Sequence, residues 1–380
     1  MPILFSLSCI LKSTLIFHIA RHRSDGTSRA SDVDEPVAVN GSFVYYRGFR
    51  VLRATLAALL DRTTPPGPGM PSMAAAARVI LSGSSAGGLT VYLHADWVAD
   101  EVRAIAPNAL VLAVPEVGFF IDGASSALAL RTFFLYIRIA SILHCAVPVP
   151  IFLSLSRALA RTVWGGQHLM TAVYARVAAF ANITGGSPAQ VNAACVAATP
   201  AAERYRCFMA QYTYPHVRTP TYMLNSKWDL WQLQNILALD ADTSRHSSTY
   251  APFVPCLEAL VVSPTACNAT QFAQFIGYGA QFEDALAAAR AATPPRPYAT
   301  RHGGFITSCA IHTTAIGGLS HRIAVGGVPM YDALVAWVKR RTAAAAAAGE
   351  AGEAADAGSA GDDDEWIVDG AWPHNPTCPK

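Results

Sequence analysis

The feature that most constrains this sequence is the run Gly83-Ser84-Ser85-Ala86-Gly87, which stands between an apolar segment and an amphipathic one. Small residues two places before and two places after a serine allow a sharp turn from a strand into a helix. The segment before the turn, 79–82, predicts a buried strand, and the segment 89–103 predicts a helix. This unit exposes the serine hydroxyl beyond the strand end, so Ser85 is a candidate nucleophile.

Other apolar and amphipathic runs alternate along the chain. Apolar runs at 110–115, 221–224 and 305–309 predict further buried strands, and the patterns at 46–62, 229–239 and from Tyr331 onward predict helices. Helices that alternate with short apolar strands are typical of a parallel sheet covered on both faces. The sequence therefore predicts an α/β fold.

An acid and a base are needed to make a serine hydroxyl nucleophilic. In α/β-hydrolases they follow in the order serine, acid, histidine, and each is expected just beyond a strand end. Asp229 meets this condition after the strand at 221–224, where an aspartate also suits a helix N-cap. Asp240 and Asp242 are rivals that lie farther from any predicted strand.

The base is predicted among the histidines that follow Asp229. His312 comes directly after the strand predicted at 305–309, and His321 is its nearest rival. Chain order alone does not decide between them. The backbone N–H of Ala86, at the start of the predicted helix, is a candidate donor to the negative charge that develops on an attacked carbonyl oxygen.

Composition excludes several other classes of function. Charged residues make up 14% of the 380 residues and the net charge is +2, without a basic stripe, so no nucleic-acid partner is predicted. The eight cysteines form no Cys-x-x-Cys pair, so a zinc or iron–sulfur site is not predicted. Glycosylation acceptors at Asn40, Asn182 and Asn268, together with paired cysteines, favour the secretory pathway.

Two apolar stretches bear on membrane contact. Residues 1–19 contain Lys12 but neither a basic start nor a clear cleavage site, so a signal peptide is not clearly present. The stretch 127–160 is interrupted by arginines near its start and by Pro148 and Pro150. A buried or surface-lying helical insertion is therefore favoured over a stable membrane span, and a membrane-associated hairpin stays open as an alternative.

Several motifs resemble those of the pectin acetylesterase family, from about Ser24 to Lys380. The similar stretches are 24–27 with 46–48, 81–89, 118–122, 224–232, 305–312 and 375–378. The resemblance implies an α/β-hydrolase-like sheet and a secreted carboxylic ester hydrolase that removes acetyl groups from cell-wall or extracellular polysaccharide, without a cofactor. It also implies that Asp229 is the acid, and it favours His312 over His321 as the base.

The resemblance and the cysteine spacing together predict three disulfides. Two close short loops, Cys195–Cys207 and Cys256–Cys267, and the third is the long-range pair Cys309–Cys378. Cys9 and Cys145 fall in segments without a recognised family counterpart and are expected to be unpaired.

Two alternatives to a polysaccharide acetylesterase stay open. One is a lipid or protein deacylase of the Notum type, in which the segment 124–163 supplies the wall of an apolar pocket. The other is a secretory glycoprotein fragment of the same family without catalytic activity.

The domain organisation predicted from the resemblance has four parts. Residues 1–23 are unassigned, 24–341 form the catalytic domain with an apolar insertion at 124–163, 342–365 form a low-complexity tether, and 366–380 are the domain's tail. About 45 residues precede the helix predicted from Tyr46, too few for four strands when each βα unit needs about 30. The family's Gly-Gly-Gly-Trp loop is also absent from the chain. We therefore expect an incomplete sheet, an unpaired edge on the strand at 79–82, and a poor esterase or none from this chain alone.

Overall fold

The structure is a computed structural model. It describes residues 6–9, 14–19, 34, 37–39, 42–44, 47–63, 72–123, 169–180, 182–183, 191–237, 268–312, 319–351, 365–370 and 375–379. Among the sequence predictions that fall outside these ranges are the apolar stretch 127–160 and the disulfide Cys256–Cys267.

A largely parallel sheet forms the centre of the fold, as the sequence predicts. The strands are β1 Ser6–Cys9, β2 Thr14–Ile19, β3 Val37–Val39, β4 Ser42–Val44, β5 Arg78–Ser84, β6 Leu110–Glu116, β7 Tyr222–Ser226, β8 Gly303–Thr307, β9 Ala324–Val325, β10 Val328–Pro329 and β11 Trp366–Val368. Within the described residues, the main sheet has the order β1-β2-β5-β6-β7-β8-β11, and only β1 runs antiparallel to its neighbour. The pairs β3–β4 and β9–β10 form small separate sheets.

Helices connect the strands of this sheet. The α-helices are α1 Gly48–Leu60, α2 Ala86–Ile105, α3 Leu169–Phe180, α4 Ala193–Ala198, α5 Ala210–Thr213, α6 Leu230–Gln232, α7 Ala269–Ala291 and α8 Met330–Ala351. One π-helical turn, Leu233–Leu237, continues α6. Short 3₁₀ segments lie at Met73–Ala75, Ala201–Phe208, Tyr214–His216, Tyr298–Thr300 and Leu319–His321.

Both faces of the sheet are buried, because successive side chains of a strand point to opposite faces. On β5, Val79 and Leu81 pack with α1 and α2, whereas Ile80 packs with Trp337 and Met330 of α8. A third cluster joins the far side of α2 to α3, α7 and the inner residues of β7 and β8. This two-sided burial explains why the central strands read as continuous apolar runs.

The prediction of an unpaired strand edge at residues 79–82 is wrong. Strand β2 pairs in parallel with β5 over its whole length, from Thr14 opposite Arg78 to Ile19 opposite Gly83, and β1 pairs with β2 in turn. The first 23 residues thus contribute strands to the sheet, because the backbone groups of β2 are the partners of the N–H and C=O groups along that edge of β5. Two strands precede β5 in the described sheet, fewer than the four expected of an α/β-hydrolase.

The predicted tether at 342–365 also needs correction at both ends. Helix α8 continues through the alanine tract to Ala351, because alanine has the highest helix propensity of all residues. At the other end, Glu365 is buried and accepts hydrogen bonds from Arg340 and from the fully buried Arg341. This buried ion pair fixes the start of β11 against α8. Residues 352–364 lie outside the described part.

Candidate active site

The backbone of Ser85 is strained, as a sharp strand-to-helix turn requires. Ser85 lies between the end of β5 and the start of α2 with φ 59° and ψ −122°. A positive φ at a residue other than glycine costs of the order of 1–3 kcal/mol and persists only where the surroundings enforce it. The Ser85 N–H donates to the carbonyl of Glu116 at 2.9 Å, and the Ser85 carbonyl accepts from Leu89 N–H at 3.0 Å.

The glycines of the turn are required by close backbone contacts. A Cβ atom on Gly83 would lie 2.4 Å from the carbonyl oxygen of Gly87, and one on Gly88 would lie 2.3 Å from that of Glu116. No side chain fits at such distances, because both neighbours are backbone atoms. The turn therefore holds the Ser85 hydroxyl beyond the carboxyl end of the sheet, next to the first turn of α2.

His312 links Ser85 to Asp229. Its Nε2 lies 2.7 Å from the Ser85 Oγ, and its Nδ1 lies 2.8 Å from the Asp229 Oδ2. Because the carboxylate accepts from Nδ1–H, Nε2 is left with a lone pair that accepts from the serine hydroxyl. The predicted convergence of these three residues is confirmed, although Ser85 and His312 lie 227 positions apart.

Asp229 is fully buried beneath the imidazole. Its Oδ1 accepts from the Gln232 N–H at 2.8 Å, so Asp229 is also the N-cap of α6, as the sequence suggests. Burial raises the pKa of Asp229, and the hydrogen bonds from His312 and from the N–H groups of Gln232 and Trp231 act in the opposite direction. These donors compensate the carboxylate for the water that burial removes.

Backbone hydrogen bonds join the loop that carries Asp229 to the loop that carries His312. Lys227 N–H donates to the Thr307 carbonyl at 3.0 Å, and Leu230 N–H donates to the Ile311 carbonyl at 3.4 Å. Because β7 and β8 are neighbours in the sheet, their following loops leave the same edge side by side. The acid and the histidine are therefore positioned by long-range contacts.

Gln232 is a supporting residue that the sequence interpretation did not assign. Its buried side-chain oxygen accepts from Ile121 N–H and from the Tyr278 hydroxyl, both at 3.0 Å, and its Nε2 donates to the Phe119 carbonyl at 3.2 Å. Gln232 thus ties the Asp229 loop to the segment after β6 and to α7. The signal was present in the sequence, because an aspartate followed three residues later by glutamine has the spacing of a capping box.

The rival residues lie elsewhere. The ring of His321 packs against Tyr331 with centroids 4.2 Å apart, and no described contact joins it to Ser85. Asp240 and Asp242 lie outside the described residues. Trp231, by contrast, stacks near His312 with ring centroids 6.4 Å apart and is only partly buried.

Two of the predicted disulfides are confirmed. Cys195–Cys207 and Cys309–Cys378 are bonded, with Cα atoms 5.8 and 5.2 Å apart. The second bond matters for the site, because Cys309 lies in the loop that carries His312. The side chains of Cys9 and Cys145 lie outside the described part, so the prediction that they are unpaired stays a prediction.

None of the helices in the described part of the chain combines the length that a membrane span needs with sufficient apolar character.

The fold and the site together define the class of the protein. It is an α/β protein with a hydrogen-bonded serine, histidine and aspartate at one edge of its sheet. The profile of the Pectinacetylesterase family matches residues 22–147 and 159–379, so the chain belongs to that family. It is 28% identical over 291 residues to pectin acetylesterase 11 of Arabidopsis thaliana, covering 76% of this chain and 54% of that protein. To pectin acetylesterase 7 of the same plant it is 29% identical over 216 residues, covering 56% of this chain and 40% of that protein.

The comparisons also show how much of the relatives and which residues of this chain are matched. The chain spans about half the length of the curated relatives that it matches. The family profile continues to residue 147 and resumes at 159, so the interpretation that the whole segment 124–163 lacks a family counterpart is wrong. Within that segment only residues 148–158 stay unmatched, and Cys145 falls within the matched part.

Proposed function

We propose that this protein is a serine esterase that removes acetyl groups from a polysaccharide. The observation that carries the proposal is the continuous hydrogen-bonded array from Ser85 through His312 to the buried Asp229. Serine becomes nucleophilic when a base accepts its proton and a third group orients that base. The family and the names of the relatives support an ester substrate.

The first half of the reaction forms an acyl-enzyme. The Ser85 Oγ attacks the acetyl carbonyl while its proton passes to the His312 Nε2, and Asp229 stabilises the imidazolium through Nδ1–H. The negative charge on the carbonyl oxygen faces the N–H of Ala86, the first residue of α2, where the helix dipole is positive. The tetrahedral intermediate then expels the sugar oxygen, which takes the proton from Nε2, and acetyl-Ser85 remains.

The second half regenerates the serine. Water attacks the acetyl carbonyl and gives a proton to the His312 Nε2. The intermediate then collapses to acetate, and the proton returns to the Ser85 Oγ. The balance is one ester and one water consumed for one acetate, one proton and one free hydroxyl, without any cofactor.

We propose acetylated polysaccharide as the substrate class because the matched relatives bear the name pectin acetylesterase. A lipid or protein deacylase would need a large apolar pocket, and no described contact near Ser85 favours one. We also propose the secretory pathway, with the cell wall or extracellular space as destination. The two disulfides of the described part support this, as do the exposed glycosylation acceptors Asn182 and Asn268.

The test is hydrolysis of p-nitrophenyl acetate and acetylated pectin by the 380-residue chain. We expect Ser85-dependent hydrolysis, weakened about 10²–10³-fold if one of the two usual oxyanion donors is missing. A fluorophosphonate should label Ser85 once per molecule, which mass spectrometry detects even when turnover is slow.

The controls are Ser85→Ala, which should show neither labelling nor hydrolysis, and Asp229→Asn, which should lower kcat about 10⁴-fold. Equal hydrolysis by wild type and Ser85→Ala would contradict the proposal, and so would the absence of any label on folded wild-type protein.

A further inference from the structure

A buried lysine lies two residues before Asp229. The side chain of Lys227 is 2% exposed and pairs with Glu283 of α7 at 2.5 Å. Its Nζ also donates to the Asp369 carbonyl at 2.5 Å and to the Gly370 carbonyl at 3.3 Å. A lysine ammonium has three N–H donors, and these three acceptors use them all. Lysine is almost never fully buried without such partners.

The carboxylate of the same Asp369 holds the loop that carries His312. Its Oδ2 accepts from the Ser308 N–H at 3.0 Å, from the Ser308 hydroxyl at 2.6 Å and from the Asn375 side chain at 2.6 Å. Asp369 N–H in turn donates to the Ile306 carbonyl at 2.8 Å. Ser308 is the first residue after β8, on the path to His312.

One short C-terminal stretch therefore contacts both loops of the site. The carbonyls of Asp369 and Gly370 accept hydrogen bonds from Lys227, in the loop that carries Asp229. The carboxylate of Asp369 accepts hydrogen bonds from Ser308, in the loop that carries His312. We propose that Lys227 and Asp369 are positioning residues, which set the distance between Asp229 and His312 and thereby the alignment of His312 with Ser85. This inference rests on the proposed function, because it concerns the same site.

The physical reason is the sensitivity of proton transfer to geometry. Catalytic groups must be held within about 0.5 Å of the productive arrangement, and a displacement of about 1 Å costs up to about 10²-fold in rate. The loops that carry Asp229 and His312 are irregular backbone, joined to each other by the two backbone hydrogen bonds from Lys227 N–H and Leu230 N–H. The side-chain contacts of Lys227 and Asp369 add to those bonds.

A purely structural role of the same residues makes a different prediction. In that case their loss lowers stability and leaves the turnover of folded molecules unchanged. Arg341 provides the matched control, because it also anchors the C-terminal segment through a buried ion pair, with Glu365. Its other hydrogen bonds go to the carbonyls of Tyr298 and Arg301, and none reaches the loops that carry Asp229 and His312.

The experiment compares Lys227→Met, Asp369→Asn and Arg341→Met in the full chain. We expect the first two to lower kcat for p-nitrophenyl acetate about 10–100-fold with KM within about twofold, since alignment and not binding is lost. Arg341→Met should lower the melting temperature while kcat per folded molecule stays within about twofold of wild type. The double variant Lys227→Met with Asp369→Asn should lose less than the product of the single losses, because both residues serve one arrangement.

Hydrogen exchange gives a second readout that needs no turnover. Lys227→Met and Asp369→Asn should accelerate exchange in peptides covering 226–229 and 308–312, and leave α2 unchanged. Wild-type kcat in both variants, or unchanged exchange in both loops, would overturn the inference. If wild-type protein hydrolyses no ester, the proposed function fails, and the exchange result alone decides whether Lys227 and Asp369 position the loops.

Discussion

Two histidines at opposite ends of β8 show how the same side chain takes two different tasks. His302 precedes the strand, and within the described residues its ring is hydrogen-bonded to backbone groups. Its Nδ1 accepts from the Thr221 N–H and its Nε2 donates to the Val217 carbonyl, both at 3.1 Å. His312 follows the strand, and its ring is bonded only to side chains, the Ser85 hydroxyl and the Asp229 carboxylate.

The difference lies in what each ring does when it takes a second proton. A protonated His302 loses the bond from Thr221 N–H, because its Nδ1 no longer accepts. Burial, reinforced by Arg296 and Arg341, lowers the pKa of His302 to about 3. A protonated His312 keeps both partners, since the carboxylate and the serine oxygen both accept hydrogen bonds. Its ring is also 15% exposed, which leaves it within reach of a substrate.

The largest expected effect comes from exchanging each histidine for glutamine. His312→Gln should lower kcat by about 10⁴–10⁶-fold, because within the described residues the Ser85 hydroxyl is hydrogen-bonded to His312 and to no other base. His302→Gln should leave kcat within about twofold and lower the free energy of unfolding by about 1–3 kcal/mol, the cost of disturbing buried hydrogen bonds. Steady-state hydrolysis of p-nitrophenyl acetate and urea unfolding measure the two quantities. A folded but inactive His302→Gln protein would contradict the proposal that His302 is structural and His312 catalytic.

The second expected effect concerns the disulfides. The bond Cys309–Cys378 joins residues 69 positions apart, and Cys195–Cys207 joins residues 12 positions apart. In the chain-entropy account the first stabilises the fold by about 4 kcal/mol and the second by about 3 kcal/mol. Replacing both cysteines of the first bond by serine should also lower kcat about tenfold, because Cys309 lies in the loop that carries His312. Replacing both cysteines of the second bond should leave kcat unchanged.

Turnover corrected for the folded fraction provides the measurement, with unfolding followed in parallel. Equal kcat in the two double variants would show that the His312 loop does not depend on its covalent link to the C-terminal segment.

The sequence predicted the three residues of the site because each has a local signal. Ser85 lies in a glycine-flanked turn, Asp229 caps a helix after a buried strand, and His312 follows another such strand. The choice of His312 over His321 needed the family resemblance, because both follow β8 in the chain. The supporting role of Lys227 was missed because it depends on a distant partner. The bond from Lys227 to Asp369 joins residues 142 positions apart, and no local pattern marks it.

Two errors in the predicted fold have physical causes of the same kind. The strand β2 was not predicted, because what makes Thr14–Ile19 a strand is the open edge of β5, far along the chain. The alanine tract was interpreted from composition as a tether, although the same composition favours a helix when a folded helix precedes it. Composition limits which secondary structures a segment can form, and the segments that pack against it determine which of them it adopts.

The smallest expected effect is the pH dependence that His302 gives to stability. Its pKa falls from the usual 6.5 to about 3 on folding, so between these values the unfolded chain binds a proton that the folded protein does not. The free energy of unfolding therefore decreases as the pH falls through this window, by up to about 1.4 kcal/mol per pH unit. Asp229 acts in the opposite direction, since burial raises its pKa and the folded protein then binds the extra proton.

The difference between wild type and His302→Gln isolates the histidine, because Asp229 is present in both proteins and its effect cancels. Urea unfolding between pH 6 and pH 4 should show wild type losing about 2–3 kcal/mol more stability than the variant over that range. Parallel loss in the two proteins would mean that His302 accepts a proton without unfolding. The two ends of β8 would then differ only in their neighbours, and not in whether the ring can carry charge.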